Sequence, residues 1–315
     1  MMTTILGIDV SKSYLDCFDS ISMRSKRFPN TLKGIEDLIK FYKALDLQQA
    51  IIEATSIYHR SVHRQLEAAN FIVRLVNPYK ARCFAKSAGF LAKTDKVDAK
   101  MLCQYGEKVE CQATSYPSRQ QEELESLLHY KKALEDELIR QINQQEYAHC
   151  SSVVQGILEQ RIGQLKQDIK SLNNYIEQLI ETHEVFRQKK ECLQTVPGIA
   201  AKTIASLLCY LPELGSLNRK QIASLAGLAP YTCESGQLRG KSIIKGGRPN
   251  VRKALYMPIL VCISINPLIS PFYKRLRSQG KVAKVALTAC MRKLLTILNS
   301  MLKNLQPWDP KSIDI

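Results

Sequence analysis

The stretch TILGIDVSK, residues 4–12, decides how the first third of the chain folds. It is a short apolar run that delivers a carboxylate, Asp9, near its end, and it contains Gly7, where a ligand or another backbone can approach closely. A second apolar run, AIIEAT at residues 50–55, delivers Glu53 in the same way. Strands this apolar are usually buried, so acids within them point to a function rather than to a solvated surface.

A third acidic feature is the segment KTDKVDAK, residues 93–100, in which Asp95 and Asp98 share one helix face. One interpretation is a helix start, with Asp95 as the N-cap and Asp98 as the third helical residue. The other interpretation joins this pair to Asp9 and Glu53 as a set of four carboxylates. Such an all-oxygen set suits Mg²⁺ or Mn²⁺ rather than zinc, and paired ions of this kind serve phosphodiester chemistry.

The composition indicates a polyanionic partner. The 315 residues are 45% hydrophobic and carry a formal net charge of +16. Fourteen Lys or Arg residues and no Asp or Glu lie between Gly236 and Trp308, a concentration typical of nucleic-acid binding. Ten cysteines without a C-x-x-C pair favour a reducing cytoplasm and argue against structural zinc. No apolar run reaches the roughly 18 residues of a membrane span, so we expect no membrane partner.

The order of elements predicts the fold class of a first domain, residues 1–115. The hydrophobic pattern predicts strands at 4–10, 14–19, 23–28, 48–55 and 71–76, and helices that follow Thr31 and begin near residues 58, 79 and 95. This is an α/β arrangement with a mixed sheet. It is also the element order of ribonuclease-H-like (RuvC-like) nucleases, in which acids from the first strand, the fourth strand and a later helix converge, an analogy at the level of the fold.

Residues 116–188 are predicted to form a helical coiled-coil spacer. From residue 158 the apolar residues alternate at spacings of four and three: Leu158, Ile162, Leu165, Ile169, Leu172, Ile176 and Leu179. This heptad stripe favours a dimerising, parallel coiled coil. An antiparallel pair formed by residues 119–147 and 155–185 of the same chain would bury the same stripe, so both interpretations stay open.

Residues 189–315 are predicted to form a mainly α-helical domain. The segment VPGI at 196–199 lies between two helical patterns, as in a helix-hairpin-helix, whose turn presents backbone N–H groups to phosphate. Residues 231–249 are glycine-rich, basic and poor in apolar residues, which is typical of a functional loop. Helices follow at 249–264 and 282–305.

The basic loop contains a candidate nucleophile, Ser235. A serine is a weak nucleophile without activation, and taken alone Ser235 reads more readily as an ordinary loop residue. Arg239 and Lys241 are close enough in sequence to hold a phosphate beside its hydroxyl. Ser242 is an equal alternative on this reasoning.

Taken together, the motifs resemble those of DEDD-type transposases of bacterial insertion sequences, the family described as bridge-RNA-guided serine recombinases. They come in the family's order and span nearly the whole chain. The motifs are GIDVSK (7–12), IEAT (52–55), VNP (76–78), KTDKVDA (93–99), VPGI (196–199), AGLAP (226–230), ESG (234–236), RG (239–240) and RKALYM (252–257).

The resemblance implies a set of functional residues and partners. Asp9, Glu53, Asp95 and Asp98 would be the metal-binding tetrad of a RuvC-like domain, and Ser235 would attack a DNA phosphodiester to form a covalent phosphoserine. A non-coding bridge RNA encoded by the element would pair with donor and target DNA. Dimers would assemble into tetramers, in which the serine domain of one subunit completes the tetrad of another.

The basic residues of these motifs and of the loop are predicted to bind nucleic acid: Lys12, Lys93, Lys96, Arg239, Lys241, Lys245, Arg248, Arg252 and Lys253. Two alternatives use the same sequence differently. A RuvC-like endonuclease or junction resolvase would use water as the nucleophile and form no adduct. A DNA- or RNA-binding scaffold would use the acids only as structural caps.

Overall fold

The computed structural model describes residues 4–54, 57–90, 94–147, 151–232, 234–235, 238–240 and 242–310. The chain divides into two compact units, Met1–Pro117 and Ser118–Ile315. Residues 235, 238 and 239 are described through their backbone.

The N-terminal unit is built on a five-stranded mixed sheet. Its strands are β1 (Ile5–Val10), β2 (Tyr14–Asp19), β3 (Ser25–Pro29), β4 (Gln49–Glu53) and β5 (Ile72–Val76). They lie in the order β3-β2-β1-β4-β5. The first three are antiparallel, and β4 and β5 run parallel to β1. The predicted strands and the mixed sheet are confirmed, and the arrangement fits the ribonuclease-H-like class.

Helices pack on both faces of this sheet. On one face, α1 (Leu32–Lys43) and α2 (His59–Ala68) cover a core that includes Leu6, Ile8 and Ile52. Thr31 caps α1 by accepting a hydrogen bond from the amide of Gly34 at 3.2 Å, as the sequence predicts. On the other face, α3 (Pro78–Ser87) and α4 (Asp95–Lys108) cover a second core.

The packing of α4 depends on Gly7. Ile5, Phe18 and Ile51 pack against Met101, Leu102 and Cys103 of α4. A methyl group placed on Gly7 would lie 2.2 Å from the carbonyl oxygen of Ala99 and 2.4 Å from the amide nitrogen of Cys103. Atoms do not approach this closely, so only glycine allows the helix backbone to rest on β1.

The C-terminal unit contains eight further helices within its described residues, α5 (Arg119–Tyr147), α6 (Ser152–Thr182), α7 (Glu184–Leu193), α8 (Ala201–Tyr210), α9 (Arg219–Leu225), α10 (Pro249–Ile265), α11 (Ile269–Ser278) and α12 (Ala283–Asn304). It also contains four two-residue strands, β6 (Pro230–Tyr231), β7 (Glu234–Ser235), β8 (Leu238–Arg239) and β9 (Ile243–Ile244). Helix α11 is absent from the sequence prediction, which left residues 265–281 unassigned.

The heptad stripe of α6 packs against α5 of the same chain. Leu124 and Leu128 of α5 belong to one core cluster with Ile176 and Ile180 of α6, and Arg161 of α6 approaches Glu137 within 4.0 Å. The start of α5 therefore faces the end of α6, and the two helices form an antiparallel hairpin. Within one chain the two helices pair with each other, as the intrachain interpretation predicts. The dimerising coiled coil stays a prediction. The base of the hairpin shares its core with the C-terminal helices, while the predicted division into three domains stays a prediction.

The VPGI segment is a turn between α7 and α8, as predicted, with Gly198 at φ +96°. The turn packs against α10, because the carbonyl of Pro197 accepts hydrogen bonds from Cys262 Sγ at 3.3 Å and from Asn266 Nδ2 at 3.2 Å. A contact between this turn and phosphate, the property that defines a helix-hairpin-helix, stays a prediction.

Helix α12 is the centre of the C-terminal core. By length and composition it could cross a membrane, but 61% of its apolar window is buried inside the unit. Leu294, Leu295 and Leu298 are fully buried. These properties are those of a core helix in a globular protein.

We predict that Gly7→Ala disrupts the N-terminal unit. The added methyl group meets backbone atoms that cannot move aside, so the variant should lose about 3 kcal/mol or more of unfolding free energy. Gly163→Ala is the matched control, because a methyl group at Gly163 meets nothing within 4 Å and Ala favours the helix. Urea unfolding should show a loss only for Gly7→Ala; equal stability of the two variants would contradict the proposed packing.

Candidate active site

A row of charged residues crosses the sheet on the face that α4 covers. In the antiparallel register Asp9 of β1 lies opposite Asp16 of β2, and Asp16 lies opposite Arg27 of β3. In the parallel register Ile8 lies beside Ile52, so the next residues along, Asp9 and Glu53, fall at the same level. Because alternate residues share a face, these charges lie on the same side as Gly7.

The remaining two acids come from the first turn of α4. Thr94 caps this helix by accepting a hydrogen bond from the amide of Val97 at 3.3 Å. Asp95 is therefore the first helical residue, and the prediction that Asp95 is the N-cap is wrong. Asp95 and Asp98 both lie in the first turn, where the partial positive charge of a helix N-terminus stabilises carboxylates.

The electrostatics of Asp9 show that the acids act on one another. Asp9 is half-buried, and its pKa is raised to about 6. The largest cause is burial, followed by the negative charges of Asp98, Asp95, Glu53 and Asp16. All four predicted acids therefore lie within electrostatic reach of one another around Asp9. A cation placed among them would remove this repulsion.

The sequence analysis missed two members of this cluster, Asp16 and Arg27. The Arg27 guanidinium donates hydrogen bonds to both carboxylate oxygens of Asp16, at 2.9 and 2.8 Å, and to Oδ2 of Asp95 at 2.9 Å. The Cζ atom of Arg27 lies 5.0 Å from the centre of the Tyr14 ring. The signal was available, because a hairpin that turns at residues 11–13 places Asp16 directly across from Asp9.

The cluster fits a hard divalent cation by the chemistry of its donors, which are carboxylate oxygens. In the part of the chain that the structure describes, no three acids converge closely enough to hold an ion as they stand. Asp95 is held to Arg27 by a hydrogen bond of 2.9 Å. Small side-chain rotations toward a cation would be needed to close the site.

Ser235 lies on a short ribbon of the C-terminal unit. Strands β6 and β9 form the root of the ribbon, with Tyr231 opposite Ile243. Strands β7 and β8 form its outer part, where Ser235 lies opposite Leu238. The region is not a structureless loop, since two short ladders order its backbone. Ser235 thus lies in a two-residue strand that is paired with β8.

The predicted nucleic-acid-binding residues divide into three groups. Lys12, Lys96, Lys245 and Lys253 are exposed, whereas Lys93 and Lys241 lie outside the described residues and Arg239 is described through its backbone. Arg248 donates to both carboxylate oxygens of Glu213, at 2.6 Å each, and to the carbonyl of Tyr210 at 3.0 Å. Arg252 donates to the carbonyls of Gly246 at 2.7 Å and Ala226 at 3.2 Å. These two arginines fasten the loop to the core.

Two protein-family models match the chain. A transposase model of the DEDD type of IS110 matches residues 6–147, and a model described as "Transposase IS116/IS110/IS902 family" matches residues 190–274. The first match covers the four acids and the second covers the serine ribbon. Both matches define the class of protein as a transposase, an enzyme that recombines DNA.

Two individual relatives have names that fit this class of protein. The chain is 32% identical over 321 residues to a "Pilin gene-inverting protein" of Moraxella bovis, covering 99% of each chain, and 29% identical to an IS110 43.6 kDa protein of Streptomyces coelicolor, covering 43% of this chain and 33% of that one. The solved structure of T. thermophilus RuvC with a Holliday junction aligns with 36% of this chain and 99% of its own, at 8% identity and a TM-score of 0.29. The chain belongs to the IS116/IS110/IS902 family of transposases, which confirms the resemblance to DEDD-type transposases of insertion sequences. The description as bridge-RNA-guided serine recombinases stays a prediction.

We predict that Asp9→Asn stabilises the metal-free protein. Because the pKa of Asp9 is about 6, against 3.8 ordinarily, the folded state binds this proton more tightly, and stability falls as pH rises through 6. At pH 7.5 in chelator the variant should be more stable by about 1–2 kcal/mol, after allowance for solvent screening. The gain should shrink as pH falls toward 5, measured by denaturant unfolding.

Asp16→Asn is the control, and its effect should have the opposite sign. Asp16 is buried and accepts two hydrogen bonds from Arg27, so its removal leaves that guanidinium with a weaker partner. If Asp9→Asn and Asp16→Asn both lowered stability at pH 7.5, the repulsion assigned to Asp9 would be disproved.

Proposed function

We propose that this chain is an insertion-sequence recombinase that cleaves and rejoins DNA through a covalent bond to Ser235. The observation that carries the proposal is the grouping of Asp9, Glu53, Asp95 and Asp98 on one face of the sheet, in a chain of this transposase family. The negative charges of Asp98, Asp95 and Glu53 raise the pKa of the half-buried Asp9, and a bound cation would offset this repulsion.

The acids are proposed to hold a divalent cation, Mg²⁺ or Mn²⁺. Asp9 and Glu53 would contribute from the ends of β1 and β4, and Asp95 and Asp98 from the first turn of α4. When bound, such an ion polarises a phosphate and lowers the pKa of an attacking hydroxyl. Arg27 would keep Asp95 oriented from the outer side of the cluster, since it also holds the buried Asp16.

The serine step is a transesterification. The Ser235 oxygen forms a bond to phosphorus, the bond between phosphorus and one flanking sugar oxygen breaks, and the serine proton is transferred to solvent or a base while the leaving sugar oxygen takes up a proton. The number of phosphodiester bonds is unchanged, so the reverse attack by another strand's hydroxyl can reseal the DNA without ATP. Arg239 and Lys241 would neutralise charge on the phosphate.

The partners are proposed from the family and from the charge. Donor and target DNA would bind the basic C-terminal unit, whose segment from Gly236 to Trp308 has fourteen basic residues and no acidic ones. An RNA encoded by the element would pair with both DNA sites. The acids and the serine lie on different units of the chain, which is compatible with a tetramer of paired dimers in which one subunit's serine meets another's acids. Such an enzyme would act in the cytoplasm on the nucleoid.

We predict that Ser235→Ala abolishes a protein–DNA adduct but keeps nucleic-acid binding. The measurement combines purified protein, the element's flanking RNA, labelled donor and target DNA and Mg²⁺, followed by a denaturing gel with and without protease. Loss of the adduct follows because alanine offers no oxygen to phosphorus. Ser242→Ala, in the same ribbon, is the matched control and should keep the adduct.

Asp9→Asn should lose both cleavage and adduct while still binding DNA. Cleavage without any adduct in the unaltered protein would replace this proposal with a water-using nuclease. Full cleavage by Asp9→Asn would return the acids to a structural role.

A further inference from the structure

A cavity of about 840 Å³ lies at the root of the serine ribbon. Its walls are Ile243 and Ile244 of β9, Pro230 of β6, and side chains from α11 and α12. All of these belong to the C-terminal unit. We call this cavity the ribbon groove. Most of its lining lies outside the family motifs, since only Leu228 and Pro230 belong to one of them, AGLAP.

The charge of the ribbon groove is one-sided. The described lining residues include no Asp or Glu. Five of them are cationic: Arg219, Arg275, Lys284, Arg292 and Lys293. Burial and the neighbouring charge of Arg275 lower the pKa of Lys293. A groove with this charge favours a ligand that carries phosphate.

The floor of the ribbon groove is apolar and accessible. Ile243 and Val285 expose 55% and 53% of their surface, and the other apolar lining residues are Leu228, Pro230, Ile244, Phe272 and Ala289. Arg275 and Lys293 lie over the Phe272 ring, 5.3 and 4.8 Å from its centre. A surface of this kind combines apolar contact with flat guanidinium and aromatic planes, on which bases stack.

We propose that the ribbon groove binds an unstacked nucleotide of the DNA strand that enters the serine site. Duplex DNA presents phosphates but no free base faces, so it would satisfy the cations and leave the apolar floor exposed to water. A nucleotide displaced from the stack presents both a phosphate and two apolar faces. The volume lies in the range of about 300–1,000 Å³ that holds small ligands.

The position of the ribbon groove supports this occupant. The ribbon leaves the groove at Tyr231 and returns to it at Ile243, and Ser235 lies between these residues. A strand held in the groove is therefore held beside the element that carries the nucleophile. The inference rests on the proposed function in taking DNA as the strand that Ser235 attacks. Unstacking next to that phosphate would free the backbone to turn toward the serine.

The test measures binding of the full chain to a single-stranded DNA oligonucleotide that contains 2-aminopurine, a base whose fluorescence reports stacking. The same sequence as duplex DNA and as single-stranded RNA serves for comparison. We expect tighter binding of the single-stranded DNA than of the duplex, with a change in 2-aminopurine fluorescence. Preference for the duplex, or binding of the RNA without the DNA, would overturn the proposal.

Two variants probe the groove in different ways. Lys284→Gln with Arg292→Gln removes charge, and Thr288→Phe fills the groove without changing charge. Each should weaken single-strand binding by about tenfold or more. Lys274→Gln with Lys303→Gln is the matched control, since it removes the same charge from exposed sites elsewhere on α11 and α12. Its loss should stay below about threefold, because distant charges are screened.

Thermal unfolding identifies any variant that fails to fold. If Thr288→Phe fails to fold, the variant with Lys284→Gln and Arg292→Gln still tests the groove. Equal losses for the groove pair and the control pair would refute a defined site. The adduct assay is independent: an adduct formed normally by groove variants that bind as tightly as the unaltered protein would refute the groove and leave the proposed function standing. Binding that depends on the groove, without any adduct, would support the groove and refute the covalent serine step.

Discussion

The contact between α4 and β1 at Gly7 is the constraint on which the rest of the N-terminal unit depends. Because Gly7 has no side chain, Ala99 and Cys103 reach the strand backbone, and α4 closes one face of the sheet. The same contact brings the first turn of α4 to the ends of β1 and β4, so that Asp95 and Asp98 meet Asp9 and Glu53. Packing and chemistry are therefore inseparable here, since the core that stabilises the unit also desolvates Asp9 and raises its pKa.

Most of the N-terminal unit can be predicted from the sequence because its local signals agree with one another. Apolar runs of strand length, the Thr31 cap and the Asn77-Pro78 break each define an element, and the structure has all of them. Four of the acids could also be found, because each lies at the end of an apolar run or at a helix start. The strand order, with β1 beside β4, was the further information needed to predict that these acids lie close together. The short ladders of the serine ribbon were missed, because two-residue strands have no periodicity to detect.

The features that escaped prediction depend on partners distant in sequence. No role is predicted from the sequence for Asp16 and Arg27, and strand register places them beside Asp9 and Asp95. Arg248 and Arg252 read as nucleic-acid ligands, yet Glu213 and the carbonyls of Ala226 and Gly246 hold them. Charge counts do not reveal which cations are already paired within the fold; among the described side chains, Lys12, Lys96, Lys245 and Lys253 are the exposed predicted ligands.

The antiparallel hairpin of α5 and α6 has a consequence for how copies of this chain could associate. The stripe from Leu158 to Ile180 is covered by α5, so the same surface cannot also hold a second molecule while the hairpin stays closed. Association through the stripe would require α5 to separate from α6 and each helix to pair with its counterpart from another chain. That arrangement is a domain swap, in which the contacts of the monomer are kept but form between two chains instead of within one. The closed and swapped forms would bury the same contacts, so the swap would need no new interface.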